Sequence, residues 1–506
     1  MPSKPARSLP EPIGTAHGTA HAPWRPPALL YRLTNSTRPP EDAPRWAIAT
    51  SLLSIRADRF LAPTGEPIRL CGVALGGWLN MENFITGYSA NEALMRSQVG
   101  AVLGEKRAER FFERLLSAFF SEADADFLAA CGFNCVRIPV NYRHLEDDRR
   151  PFEIMSSGFA HLDRAIGLLA ERGIYSVIDL HALPGGQNAH WHSDNPTHIA
   201  NFFSHPHFQD RVVHLWEAIA DRYKDHPFVG GYNPVNEPAD ETRVLIGPYY
   251  SRLVSAIRAV DPHHLLFLDG NTYSTEFDIF IEPFDNAVYV CHDYVPAGLG
   301  YGGPYPGETR GIWHDATTIE QKFLERTEFA RRTNTPIWVG EFGPVYTGDP
   351  AIDAQRQQIL ADQLDLYRRY NASWSLWTYK DVGTQGLAYL APDTPYRQRF
   401  DDFVAKKRRL AADSWGTDGV GVAEVTGPVQ ELIAREFPDF HPYPWGRFDW
   451  VRTLLNSILI AQPLAEEYAQ LFTGLGDDEL DALADSFAFA NCLVREPLRS
   501  QLHEAL

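Results

Sequence analysis

The chain has 506 residues, and no apolar run in it reaches the roughly 18 residues that a membrane-spanning helix requires. A helical membrane span is therefore excluded. Cysteine is scarce: Cys71, Cys131, Cys135, Cys291 and Cys492 make five, an odd number. Cys71, Cys135 and Cys291 lie in apolar, strand-like runs. Buried free thiols in a reducing compartment explain this better than a disulfide framework. Cys131 and Cys135 flank a tight helix-to-strand turn, a poor setting for a bridge. The opening stretch MPSKPARSLPEPIGTAHGTAHAPWRPP lacks the apolar core of a secretory leader. Both features predict a cytoplasmic protein. Positive charge is in deficit as well, with 46 Lys and Arg against 65 Asp and Glu, a net charge of -19. Such a surface repels phosphate backbones, which excludes a nucleic-acid partner and is compatible with a neutral substrate.

Several chemical signatures are also missing. There is no GxSxG elbow for a serine hydrolase. The loop 181–207 holds six histidines, among them His190 and His192, yet no HExxH pair, so sugar binding or loop packing is expected there rather than a metal. GLGYGG at 298–303 matches a dinucleotide fingerprint, but Pro304 follows where a helix should start. It is read as a flexible loop over a cleft, and no cofactor is expected.

What is present is a large apolar inventory: 44% hydrophobic residues, 12% aromatic, enough for a substantial core. Residues 1–45 are rich in Pro, Ala and small polar residues and read as an extended or disordered lead-in. Around the turn signal Thr64-Gly65, the runs LLSIRADRFLAP and PIRLCGVAL predict a short hairpin capping a barrel floor. Eight apolar, β-branched runs then follow, at 68–75, 135–140, 174–181, 229–236, 264–270, 287–294, 336–343 and 373–380. Helix-period segments separate them, at 158–172, 206–224, 241–260, 317–333 and 350–370 among others. Eight strand–helix units predict an α/β fold, a closed (β/α)8 TIM barrel spanning 46–412 with its hairpin. Beyond 413 the pattern changes to a helical extension, 413–506. Gly416–Gly427 reads as a loop, 449–472 as a helix kinked near Pro463, and 477–494 as a further helix. Packing on the barrel, dimerisation and shaping of the cleft all stay open as roles for it, and so does the oligomeric state.

In such barrels the chemistry sits at the C-terminal ends of the strands. There the chain carries Arg137 on strand two, His181 on strand three, Asn236-Glu237 on strand four and His292-Asp293-Tyr294 on strand six. Glu341 ends strand seven and Trp377 ends strand eight. Two carboxylates on one rim suit cleavage of a glycosidic bond: one acid protonates the leaving oxygen, one carboxylate attacks the anomeric carbon. Arg137 and Tyr294 are expected to hold Glu341 ionised, and Glu341 to keep Glu237 protonated in a partly dry pocket. Asn236 is placed to grip a sugar hydroxyl, and Trp377 offers a flat face to the ring.

The segments VRIPV, DLHALPGGQN, YNPVNEP, HDY, WVGEFG and SLWTYK, in this order, resemble glycoside hydrolase family 5 over residues 66–410. The resemblance implies a retaining (β/α)8 hydrolase with acid/base Glu237 and nucleophile Glu341. It also implies that Arg137, His181, Asn236, His292, Tyr294 and Trp377 complete the site around the cleaved sugar. GVALGGWLNMENFIT at 72–86 and HALPGGQN are similar to motifs of exo-β-1,3-glucanases of that family. That similarity implies a sugar contact for Glu82. The expected function is a retaining β-glycoside hydrolase acting, from chain ends, on β-glucosides or β-glucan oligosaccharides. An endo-β-1,4-glucanase or a β-mannanase or β-mannosidase on the same barrel is the alternative. A non-catalytic carbohydrate-binding barrel is more remote, because such proteins typically lose a catalytic carboxylate and both are present here.

Overall fold

Near-continuous runs of Val, Ile, Leu and aromatic residues can be buried on both faces only if helices cover the outside and side chains fill the inside. The computed structural model, which describes residues 52–300, 303–309, 311–412, 415–417 and 419–506, shows this arrangement. Eight parallel strands close into a barrel in chain order. They are β1 (Cys71–Ala74), β2 (Cys135–Asn141), β3 (Tyr175–Ala182), β4 (Val229–Asn233), β5 (Leu265–Asp269), β6 (Ala287–His292), β7 (Ile337–Glu341) and β8 (Ser373–Leu376). β8 returns to β1 with Trp374 opposite Cys71. Gly72 permits the close approach of β1 to β2, since a Cβ there would meet the Cys135 carbonyl oxygen at 1.7 Å. The described residues all fall in one compact unit. The segment 1–45 lies outside them.

The floor of the barrel is plugged from below. Ser54–Arg56, Arg59–Leu61 and Pro67–Ile68 form three short antiparallel strands rather than one hairpin. A first turn at Ala57, with φ 54°, precedes the one at Thr64-Gly65. Leu53 and Phe60 enter the cluster of Leu70, Val177, Phe267, Val290 and Trp338 that fills the lower interior. This leaves only the upper end free for polar groups.

Two of the helices differ from their sequence reading, each for a local reason. The segment 241–260 turns helical only at Ile246. Asp240 accepts the N–H groups of Thr242, Leu245 and Ile246 at 3.0, 2.7 and 3.1 Å and holds the chain in a loop until then. The segment 317–333 is broken into Ala316–Arg326 and Glu328–Thr333 at Thr327, whose hydroxyl donates back to the Phe323 carbonyl at 2.7 Å.

The C-terminal part departs further. A helix, Ala423–Glu436, begins inside the stretch read as a loop. The kink expected near Pro463 is a π-helical stretch, Thr453–Ile460, ahead of it, between helices Gly446–Arg452 and Ala461–Gln470. Lacking an N–H, Pro463 cannot continue the ordinary ladder, and the wider turn precedes it. The helix from Asp477 stops at Asp485, and Cys492–Val494 is a strand antiparallel to Ala388–Leu390. These elements pack on the barrel side. Tyr468 and Phe472 pack at tilted angles on Phe400, Phe487 meets Tyr396 edge-on, and the buried ammonium of Lys380 donates to Asp124 and to the Phe487 carbonyl.

Candidate active site

The alternation of side chains along a strand sends every second residue into the barrel, and at the upper end those residues are polar. Arg137 is one of them. It lies in the middle of β2, not at its end as the sequence reading had it, because β2 runs on to Asn141. It is fully buried and held on all sides. Its Nη2 is 2.6 Å from Asn236 Oδ1, 3.0 Å from Asn233 Oδ1 and 3.1 Å from Asp179 Oδ2. Its Nη1 reaches Glu341 Oε1 at 2.5 Å. Asn236, past the end of β4, thus positions the guanidinium, and its amide nitrogen lies 3.3 Å from His181 Nε2.

Glu341 ends β7 with both oxygens occupied, Oε1 by Arg137 and Oε2 by the Tyr294 hydroxyl at 2.9 Å. Burial, and then the negative charge of Glu341 and Glu237, push the Tyr294 phenol well above its ordinary range, so it stays a donor. Glu237 follows β4 at φ 46°, a left-handed conformation that costs a non-glycine residue of order 1 kcal/mol. The Asp269 carboxylate holds it there by accepting the Glu237 N–H at 2.9 Å. Burial, partly offset by His292 and Arg137, lifts Asp269 to about 6.

One expectation is corrected by the surroundings of Glu237. Its two oxygens face imidazoles: His292 Nδ1 is 2.6 Å from Oε1, and His192 Nε2 is 3.0 Å from Oε2. Burial favours the neutral acid, but His292 and His192 outweigh it and hold the carboxyl below its usual range. His292 moves the opposite way. Burial opposes its charge, yet Glu341, Glu237 and Asp269 raise it. Both shifts favour a proton on the imidazole side over Glu237, because the carboxylates of the cluster together stabilise the His292 imidazolium more than burial penalises it.

Glu82, His181 and Trp377 come together opposite. His181 Nδ1 is 2.7 Å from Asp179 Oδ2, and its Nε2 is 3.3 Å from Glu82 Oε1. Burial disfavours the imidazolium, but Asp179 and Glu82 overcome it and push His181 up to about 10. Its ring stacks on Trp377 at 5.3 Å and 8°. Burial raises Glu82 despite that histidine. In the same loop Phe84 stacks on Trp415 at 5.4 Å and 4°, and Trp415 meets Tyr294 edge-on at 4.6 Å. Trp78 turns away, donating its indole N–H to the Leu116 carbonyl. Asp293 also points outward, to Arg326 and Tyr367.

A cavity of about 550 Å³ opens above these groups. Glu82, His181, Glu237, His292, Tyr294, Glu341 and Trp377 all line it, whereas Arg137 and Asn236 support it from below. Of the fingerprint-like stretch, which was expected to be a loop, Leu299 ends a short helix, Pro296–Leu299, and lines the wall with Gly300 and Gly303. Other lining residues were not singled out from the sequence: Trp191, Tyr273, Glu308, Trp415, Trp445, Asp449 and Arg452. His192 belongs to the histidine-rich loop 181–207, in which spacing alone marks no one member. Trp415 and Trp445 stand alone in a region without motif, so nothing local marked them.

A buried carboxylate pair at the open end of a (β/α)8 barrel, with aromatic walls, is the arrangement of a carbohydrate-cleaving enzyme. Comparison with known families agrees: residues 115–383 match the family model described as cellulase (glycosyl hydrolase family 5), and the chain belongs to that family. It is 43% identical over 465 residues to a protein of Phanerodontia chrysosporium named beta-xylosidase, covering 89% of this chain and 97% of that one. It is 28% identical to a probable glucan 1,3-beta-glucosidase A of Neosartorya fischeri, over 62% of this chain and 83% of that one. Among solved structures, one titled as a glycoside hydrolase has a TM-score of 0.48 at 21% identity, covering 62% of this chain and 90% of that one. The protein is a glycoside hydrolase of family 5 acting on carbohydrate.

Proposed function

We propose that this enzyme is a retaining β-glycosidase that releases sugar from the ends of β-glucosides or β-glucan oligosaccharides. In this reading Glu341 is the nucleophile and Glu237 the acid/base. The observation that carries it is the spacing and unequal surroundings of the two glutamates. An oxygen of each, together with a nitrogen of His292, lies within 4.8 Å of the others. So close an approach supports the spacing of retaining enzymes, about 5–5.5 Å between carboxyl groups, over that of inverting ones, about 6.5–9.5 Å.

The chemistry follows from the partners. Glu341, held by Arg137 and Tyr294, attacks the anomeric carbon while the glycosidic C–O bond breaks. The departing oxygen takes a proton from Glu237, to which His292 has first passed it along their 2.6 Å contact, so Glu237 is left ionised and His292 neutral. Water then attacks the glycosyl–Glu341 ester, gives its proton to the ionised Glu237, which passes it on to His292, and frees Glu341. Action at chain ends is supported by the walled side of the cavity, where Glu82 meets His181 and Phe84 meets Trp415. The relatives named glucan 1,3-beta-glucosidase fit this, and the one named beta-xylosidase makes xylose a competing sugar. The reducing, cytoplasmic setting belongs to the same proposal; it is supported by five free cysteines, four of them buried.

Aryl β-glucoside, β-xyloside, β-mannoside and β-galactoside assayed side by side, with the first-formed anomer read by NMR, test the reading. Hydrolysis of the glucoside with β product is expected. An α product, or preference for the mannoside, overturns it.

A further inference from the structure

Glu237 divides the cavity. Its carboxyl must face the oxygen of the leaving group, so groups beyond Glu237, on the side away from Glu341 and Trp377, face whatever departs. A row of rings leads outward from Glu237, beginning at His192, which also meets His181 edge-on at 5.8 Å. His192, 3.0 Å from Glu237, lies 5.8 Å from His190 between ring centres. His190 lies 5.1 Å from Tyr273, and Tyr273 lies 5.7 Å from Trp445 at 37°. Trp445 borders the cavity and is 45% exposed, so part of its indole is available for contact. Just beyond it, Asp449 and Arg452 pair at 2.9 Å on the same wall. Thr272 ties this segment to the barrel through a 2.9 Å contact with the Tyr443 hydroxyl.

We infer that residues 443–452 form the leaving-group subsite. Trp445 is its stacking face, and the Asp449–Arg452 pair is its outer polar contact. The leaving group it fits extends outward from the glycosidic oxygen past Tyr273, with a ring face that reaches Trp445 and a hydrogen-bonding group farther out. These residues lie past residue 383, where the match to the family model ends, so this specificity is set by the C-terminal part rather than by the barrel. The inference rests on the glycosidase reading above.

The test compares two substrates with the same sugar, 4-methylumbelliferyl β-glucoside and β-glucosyl fluoride. Fluoride has no ring and needs little acid help, so it reports the sugar side and the nucleophile alone. Trp445→Ala is expected to lower kcat/KM for the umbelliferyl glucoside about tenfold while leaving the fluoride nearly unchanged. Trp445→Phe restores most of the loss. Asp449→Asn is expected to raise KM for the umbelliferyl glucoside with little change in kcat. Equal losses on both substrates, or none on either, overturn the inference. A wild-type enzyme inactive on the fluoride sinks the proposed β-glucosidase reading, and this inference with it.

Discussion

His292 stands between the two glutamates, with its Nδ1 2.6 Å from Glu237 Oε1 and 3.6 Å from Glu341 Oε2. Its Nε2 makes no hydrogen bond and faces Asp269 Oδ2 at 3.7 Å. Three carboxylates around one buried imidazole make it the proton store of the site.

Removing either glutamate should leave a folded protein with little activity. Loss of the acid, Glu237→Ala, is expected to cost about 10²–10⁴-fold on substrates with poor leaving groups and less on activated ones. Azide then separates the roles. With Glu341→Ala it attacks from the face the nucleophile has left and yields the α-glycosyl azide. With Glu237→Ala it intercepts the glycosyl-enzyme and yields the β-glycosyl azide. NMR of the products reads the outcome, and near-normal turnover in either variant refutes the assignment.

The His292 store has a pH signature. Because His292 is raised above the ordinary 6.5 and Glu237 is lowered, the proton leaves the pair only when pH rises through the elevated imidazole value. In His292→Asn the proton has only a buried carboxyl to sit on. The alkaline limb of kcat/KM should then move to lower pH, with activity falling more at pH 7.5 than at pH 5. A pH–rate profile with an unmoved alkaline limb contradicts the proton-store role.

His181 predicts stability rather than rate. Its folded value is raised to about 10 from an ordinary 6.5, so its contribution is complete below about 6.5 and disappears as pH rises through about 10. Urea midpoints measured from pH 6 to 10 should fall more steeply in the wild type than in His181→Asn. Parallel curves would show that the ion pairs with Asp179 and Glu82 contribute nothing.

Glu82 bears on the mode of attack. Buried against His181 at the walled side, it can satisfy the free hydroxyls of a terminal sugar. An internal sugar leaves it unpaired, at a cost of about 1–3 kcal/mol or more. Early digests of a soluble β-1,3-glucan should give monosaccharide with little fall in viscosity. Glu82→Ala should raise KM for short substrates and weaken the preference for ends. A rapid loss of viscosity with mid-length products indicates endo action instead.

Lys380 and Asp124 are both wholly buried. Lys380→Met leaves Asp124 and the Phe487 carbonyl without their donor, although Asp124 keeps the Tyr379 hydroxyl at 2.7 Å. A destabilisation of about 3–5 kcal/mol is expected by urea denaturation. A change below about 1 kcal/mol would mean that this ammonium does not anchor the C-terminal part.

Legibility varied with the range of the interactions that set each feature. The eight strands and most of the helices were readable because periodicity is local: β3, for example, was placed at 174–181 and runs Tyr175–Ala182. The delay of the helix before Ile246 was not, because it depends on Asp240 reaching three backbone N–H groups. Residues 423–436 were misread at their start because Gly416, Gly419 and Gly421 mask the helix that follows. The loop containing Glu82 was recognised by its motif, but its closure by Phe84 on Trp415 joins positions more than three hundred residues apart.

By itself the sequence determined the (β/α)8 class, the rim on which Glu237 and Glu341 stand, and the groups around them, since strand ends and strand-end residues are adjacent in the chain. Tertiary structure alone decided where the proton rests and what walls the cavity. A proton's location depends on the summed field of Glu237, Glu341, Asp269, His192 and His292, which arrive from four strands and the loop after β3. The far wall depends on a C-terminal segment whose Trp445 gains meaning only beside Tyr273. Interactions that fall off within a few ångströms cannot be read from a chain until folding sets those distances.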